Sequence, residues 1–281
     1  MGIANIIFVL LFTGAIAWFT INLRKIIRNI KLGRDIDLSD NPGKRWKTMA
    51  KVALGQSKMV ARPIAGILHV FVYLGFVIIN IEILEIIIDG VTGSHRFFAP
   101  FLGAAYVPFI NAFEILAFGV FFGCLIFLIR RNILRLPRFH KPEMKKWPTS
   151  DANIILVTEI LLMSAFLIMN AADVHANADF VISSNLNGIL PSSPEQLHLI
   201  ERFCWWFHIA GVFAFLNYLP YSKHFHILLA FPNTYYSNLN PKGQFTNMEA
   251  VTKEVKLMFD PDADPYAAPA EPDANAEPVR F

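Results

Sequence analysis

Cysteine is nearly missing from this sequence. Cys124 and Cys204 are the only two in 281 residues, and neither belongs to a CxxC or CxxCH motif. A disulfide framework, a Cys-ligated iron–sulfur cluster within the chain and a covalently attached c-type haem are therefore excluded. The two thiols read as small buried apolar residues. Charge is also sparse, at 17% of residues, less polar surface than a soluble domain of this length needs. There is no internal repeat. There is no glycine-rich phosphate loop, no Ser/His/Asp signature and no HxxxH-type zinc spacing, and the "HFH" of residues 224–226 is too little by itself for a metal site.

What the chain has instead is apolar length. Hydrophobic residues make up 54%, 26 of them Phe, and the mean hydropathy is +0.43. About 20 apolar residues cross a hydrocarbon core, and five stretches meet that need: Ile3–Leu23, Pro63–Ile88, Tyr106–Ile129, Asn153–Ala171 and Phe203–Leu229. The first has no Lys or Arg before it and is too long for a signal-peptide core, so it reads as a retained span. Lys and Arg number eleven in residues 24–62, seven in 130–146 and five in 223–281, against one each in 89–106 and 172–202. Positive charge marks cytoplasmic loops. The expected fold is thus an all-α membrane protein, a five-transmembrane-helix bundle with its N-terminus outside and its C-terminus cytoplasmic. Lipid headgroups and that bias account for the basic loops, so no nucleic-acid partner is implied.

Along the chain, residues 1–232 form the expected membrane domain. Residues 24–62 are polar and part helical, with an interfacial look to "RKIIRNIK" and a turn at "SDNPGKR". "SPEQ" near Ser193 predicts the start of a short helix. Residues 233–281 read as a cytoplasmic tail: a turn-rich piece, one short amphipathic helix in "NMEAVTKEVKLMF", and a Pro/Ala/acidic linker.

Ionisable side chains inside spans are costly and mark function. His69 lies early in the second span, His208 early in the fifth, and Lys223, His224 and His226 at the fifth span's end. From His208 to His226 is 18 residues. In one unbroken helix that is five turns, about 27 Å, with both rings on one face and His224 off it. Two histidines on one face, one near each membrane surface, suit two stacked haems, each held by a histidine on either side of its iron. Gly66, Gly75 and Gly211 would let a flat macrocycle approach. Lys223 and Arg62 would meet its propionates. By depth, His69 pairs with His226. His208 needs a partner from the outer half; His95 is the nearest, with His198 and His175 as further options. The plainer alternative for each is a helix-to-helix hydrogen bond.

"ILHVFVYLGFVI" in the second span and "WFHIAGVFAFLNYLPYSKHFHILLAFP" in the fifth resemble the gamma subunit of respiratory nitrate reductase, a five-helix dihaem cytochrome b. They resemble equally the membrane cytochromes joined to heterodisulfide-reductase-type iron–sulfur proteins, as in Bacteroidetes-type fusions. The resemblance rests on His208, Pro220-Tyr221-Ser222-Lys223 and His226, and on His69. A second ligand expected ten residues after His69 is replaced by Ile79. The resemblance implies haem b, one or two per chain, with His69 and His226 on the cytoplasmic-side iron and His208 on an outer one. It implies a quinone as substrate, a cytoplasmic iron–sulfur protein or domain as partner, and the inner membrane of a bacterium as location.

Quinol oxidation releases protons, so a buried carboxylate near a quinone is of interest. Glu82 and Glu85, at i and i+3 in the second span, are the preferred pair, with Glu114 and Glu159 elsewhere in the spans. Hydrogen bonding between helices is the alternative use. The expected function is a membrane cytochrome b subunit carrying electrons between the quinone pool and a cytoplasmic iron–sulfur oxidoreductase partner. The competing functions are a haem-free membrane anchor and a proton-coupled transport subunit.

Overall fold

A computed structural model describes residues 2–33, 35–174, 180–241, 243 and 247–259. His175 and the linker from residue 260 onward lie outside the described residues. Those described are all helical or irregular. The helices are α1 (Ile3–Ile30), α2 (Pro42–Met49), α3 (Pro63–Thr92), α4 (Ala99–Leu102), α5 (Tyr106–Leu128), α6 (Trp147–Ala172), α7 (Pro194–Tyr218), α8 (His226–Tyr235) and α9 (Glu249–Phe259). Five of them are long and apolar enough to cross a membrane: α1, α3, α5 with its flanking turns, α6 and α7.

The long helices alternate in direction. Asn5 at the start of α1 donates to the Gly90 carbonyl at the end of α3 (2.9 Å). Asn132 just after α5 and Asn153 in the second turn of α6 exchange amide hydrogen bonds. Each long helix packs on the next, and α7 returns to α1, so the bundle closes. Phe8 seals that closure: its ring lies against Gly90 of α3 and against Trp205 and Phe213 of α7 at 5.6 and 5.9 Å. The core is otherwise built from α3, α5, α6 and α7 around Ile110, Phe113, Ala117 and Phe166. The outward faces stay apolar and exposed, as helices facing hydrocarbon require.

Two expectations change. The helix predicted near Ser193 is no separate element: Ser193 is the N-cap of α7, which runs unbroken from Pro194 to Tyr218. The fifth span thus begins nine residues before Phe203, and His208 sits mid-helix rather than near its start. The second change is at the other end. α7 stops at Tyr218, and two short 3₁₀ turns, Leu219–Tyr221 and Lys223–Phe225, precede α8. Proline cannot continue the hydrogen-bond ladder, and after Pro220 the chain is extended at Ser222 (φ −110°, ψ 160°). The five-turn phase between His208 and His226 therefore does not exist.

Candidate functional site

The break after α7 builds the site. Asp151, in the second turn of α6, is buried and accepts from the Tyr218 hydroxyl (2.6 Å) and from the Lys223 amide (3.0 Å). Ser222 Oγ accepts from the His224 amide (3.2 Å) and donates to the Leu219 carbonyl (3.1 Å). The freed backbone is thus satisfied by side chains, which holds Lys223, His224 and His226 in place.

A cavity of about 610 Å³ opens beside this segment, lined by His69 from α3 and by both His224 and His226. His226 Nδ1 donates to the Lys223 carbonyl at 2.9 Å, leaving Nε2 as the ring's other face to a ligand. His69 Nδ1 and His224 Nε2 are buried with no hydrogen-bond partner. The His224 ring lies 5.7 Å from that of His226 and packs on Phe215 and Phe76. His224, expected to point away, is thus part of the site.

The wall carries cations and apolar groups together. Arg62, Lys58, Arg131, Arg138 and Lys223 line it, with Phe127, Ile155 and Leu156 inside. Arg131 is buried, its Nε is unpartnered, and its guanidinium stacks on Phe139 at 5.1 Å. Lys223 reaches the Pro148 carbonyl. Beyond the end of the fifth apolar helix, burial and then the Arg131 charge lower the Lys223 ammonium, against Asp151. Burial first, then His226, push His224 down to about 4, which keeps it neutral at ordinary pH. Sequence reasoning missed Asp151, Arg131 and Arg138. The fourth span was expected to start at Asn153, which left Asp151 in a loop.

His208 is fully buried between α6 and α7. Its Nδ1 donates to the Leu162 carbonyl (2.9 Å), and Nε2 has no partner. His95 is not brought to it. His95 bonds Asp173 at 3.1 Å, eleven residues and about 16 Å along α6 from Leu162. His198 shares α7 with His208 and lies beside Glu201 at 3.8 Å, so it cannot stand opposite. The glycines expected to admit a macrocycle are used for packing. A Cβ on Gly211 would lie 2.6 Å from Leu162 Cδ2, one on Gly75 would collide with Val120, and one on Gly66 would lie 2.7 Å from the Met59 carbonyl oxygen.

The other end of the bundle holds a buried polar network. Glu85 accepts from the Phe98 amide (2.8 Å) and the Tyr106 hydroxyl (2.9 Å). Asp89 accepts from the Arg96 amide (2.9 Å). Arg96 donates to Asp173 and Asn170, and Asn170 to Glu114 (3.0 Å). Burial opposes the Asp173 charge, but His95 and Arg96 outweigh it and hold the carboxyl well below the usual range. Glu85 is thus occupied as a cap. Glu82 is 2% exposed with Oε2 unpartnered, about 20 Å along α3 from His69.

This is the architecture of an all-helical protein with five membrane-length helices and a histidine-lined basic cavity at one end. No family model and no solved structure matches the chain. It is similar to the probable iron-sulfur-binding oxidoreductase FadF of Bacillus subtilis (strain 168), 23% identical over 260 residues that make up 92% of this chain and 36% of FadF. It is also similar to the EtfAB:quinone oxidoreductase of Syntrophomonas wolfei, 23% identical over 229 residues, 74% of this chain and 30% of that protein. The chain spans about a third of the length of these curated relatives. The chain is thus distantly similar to an iron–sulfur-binding oxidoreductase and to a quinone oxidoreductase.

Proposed function

We propose that the chain is a membrane cytochrome b subunit that carries electrons between the quinone pool and an iron–sulfur partner. The basic end would face the cytoplasm, in the inner membrane of a bacterium. One observation carries this: imidazoles from α3 and from the α7–α8 break meet in one cavity, with unpartnered ring nitrogens and a ring of cations. The printed names of the two relatives support an iron–sulfur and a quinone connection.

The residues fit haem b. Unpartnered buried imidazole nitrogens are costly without a ligand, and apolar walls with several cations match a macrocycle bearing carboxylates. A haem there supplies one-electron transfer. His69 and His226 are the side chains that would hold its iron, and the Lys223 carbonyl fixes the His226 tautomer. Arg131, Arg62 and Lys223 would neutralise the propionates. Phe127, Ile155 and Leu156 exclude water. Asp151 holds the segment that carries His226.

One haem is assigned here, at the basic end. The test is a reduced-minus-oxidised visible spectrum of the purified protein with a pyridine haemochrome count. A b-type signal at one haem per chain is expected. Two per chain would place another at His208. No visible absorption from folded protein made with haem in excess would sink the proposal in favour of a haem-free anchor.

A further inference from the structure

We infer that a second cavity, which also borders His226, is the quinone headgroup site; the inference rests on the electron-transfer function proposed above. This cavity, about 430 Å³, shares His226 and Lys223 with the first and extends along one face of α8. His226, Leu229, Ala230 and Asn233 follow at i, i+3, i+4 and i+7, one helical stripe. The stripe is polar at its two ends and apolar between them. Asn233 is exposed, and its side chain bonds none of the described residues, so its amide is free to donate to or accept from a quinone oxygen. Tyr221 forms the mouth, more than half exposed, with its hydroxyl donating to Asn22 of α1 at 2.8 Å.

The carboxylate pair at the opposite end serves less well. Glu85 is spent on the Phe98 amide and the Tyr106 hydroxyl, and Glu82 is 2% exposed. The second cavity instead shares two lining residues with the first, His226 and Lys223, so donor and acceptor would be adjacent. Oxidation of one bound quinol breaks two O–H bonds. The two protons leave to water at the mouth beside Tyr221. Its two electrons would be taken up one at a time by the haem that His69 and His226 would hold, which supplies the one-electron chemistry. Quinone reduction is the same step reversed.

The test is photolabelling of the purified full chain with an azido-naphthoquinone, followed by peptide mapping; labelling needs no haem. Expected is saturable label within residues 220–233, competed by menadione. Ala230→Trp, which fills the cavity, should cut that label at least tenfold while melting temperature and visible spectrum stay as in the parent. Asn233→Leu, on the exposed face, should weaken competition several-fold and serves if the Trp variant does not fold. Competed label on α3 around Glu82, label that menadione does not displace (a lipid-filled groove), or unchanged labelling of both variants would overturn the site. Absence of a b-type spectrum with label still in residues 220–233 would overturn the haem and not the site.

Discussion

Histidine chemistry is decided residue by residue. His69, His224 and His226 all line one cavity, but they are not equivalent. His226 is backed by the Lys223 carbonyl, the arrangement that orients a metal ligand. His224 is wedged between Phe215 and Phe76, where its ring packs. The expected outcome follows: His69→Ala and His226→Ala each abolish the b-type absorbance, and His224→Phe keeps it. Visible spectra of folded, purified variants check this. If His224→Phe is the variant that loses the signal, the ligand is His224. Asp151 belongs to the same scale. Among the first residues of "WPTSDANIILV" it looks like loop polarity; only the fold shows that it receives the Lys223 amide from 72 residues away.

At the scale of elements, two devices hold the bundle. One is close helix approach at glycine. A side chain at Gly75 would collide with Val120 of α5, and one at Gly211 with Leu162 of α6. Overpacking of this kind costs about 1–3 kcal/mol. Gly75→Val or Gly211→Val should therefore lower the detergent melting temperature by several degrees; an unchanged melt would show that the helices part easily. The other device is the capping of α3 and α6 by the loop that carries His95 and Arg96. Asp173 is held ionised there by His95 and Arg96. A carboxyl with a depressed folded pKa contributes stability above its unfolded value of about 4, and loses it as pH falls through the folded value. Asp173→Asn should thus cost about 3 kcal/mol at pH 7, the scale of breaking a buried pair. The deficit should shrink below pH 4, where the parent weakens too. Thermal melts across that range check the sign; a deficit that grows on acidification would refute it.

For the whole molecule, the alternation of helix direction collects the basic loops at one end with the histidine-lined cavity, and the acid-capped loops at the other. The positive-inside bias would put the cavity end in the cytoplasm. A reporter fused after Phe259 should be active only inside the cell. A cysteine placed at Ser184 should react with an impermeant thiol reagent from outside. The opposite pattern would contradict a cytoplasmic iron–sulfur partner as proposed above. The span count and the charge asymmetry were legible from residues alone, because about 20 apolar residues in a row have few other uses; the residues also showed histidines in or beside the spans, but not what they do. The helix break was half legible: Pro220 announces it, but its outcome depends on Asp151 and Ser222, which take up the freed amides. Which histidines meet, what the glycines touch and where Glu85 is spent were settled only by the tertiary structure. Helical phase survives only while the hydrogen-bond ladder is continuous, and contacts between helices far apart in the chain are set by packing, not by spacing.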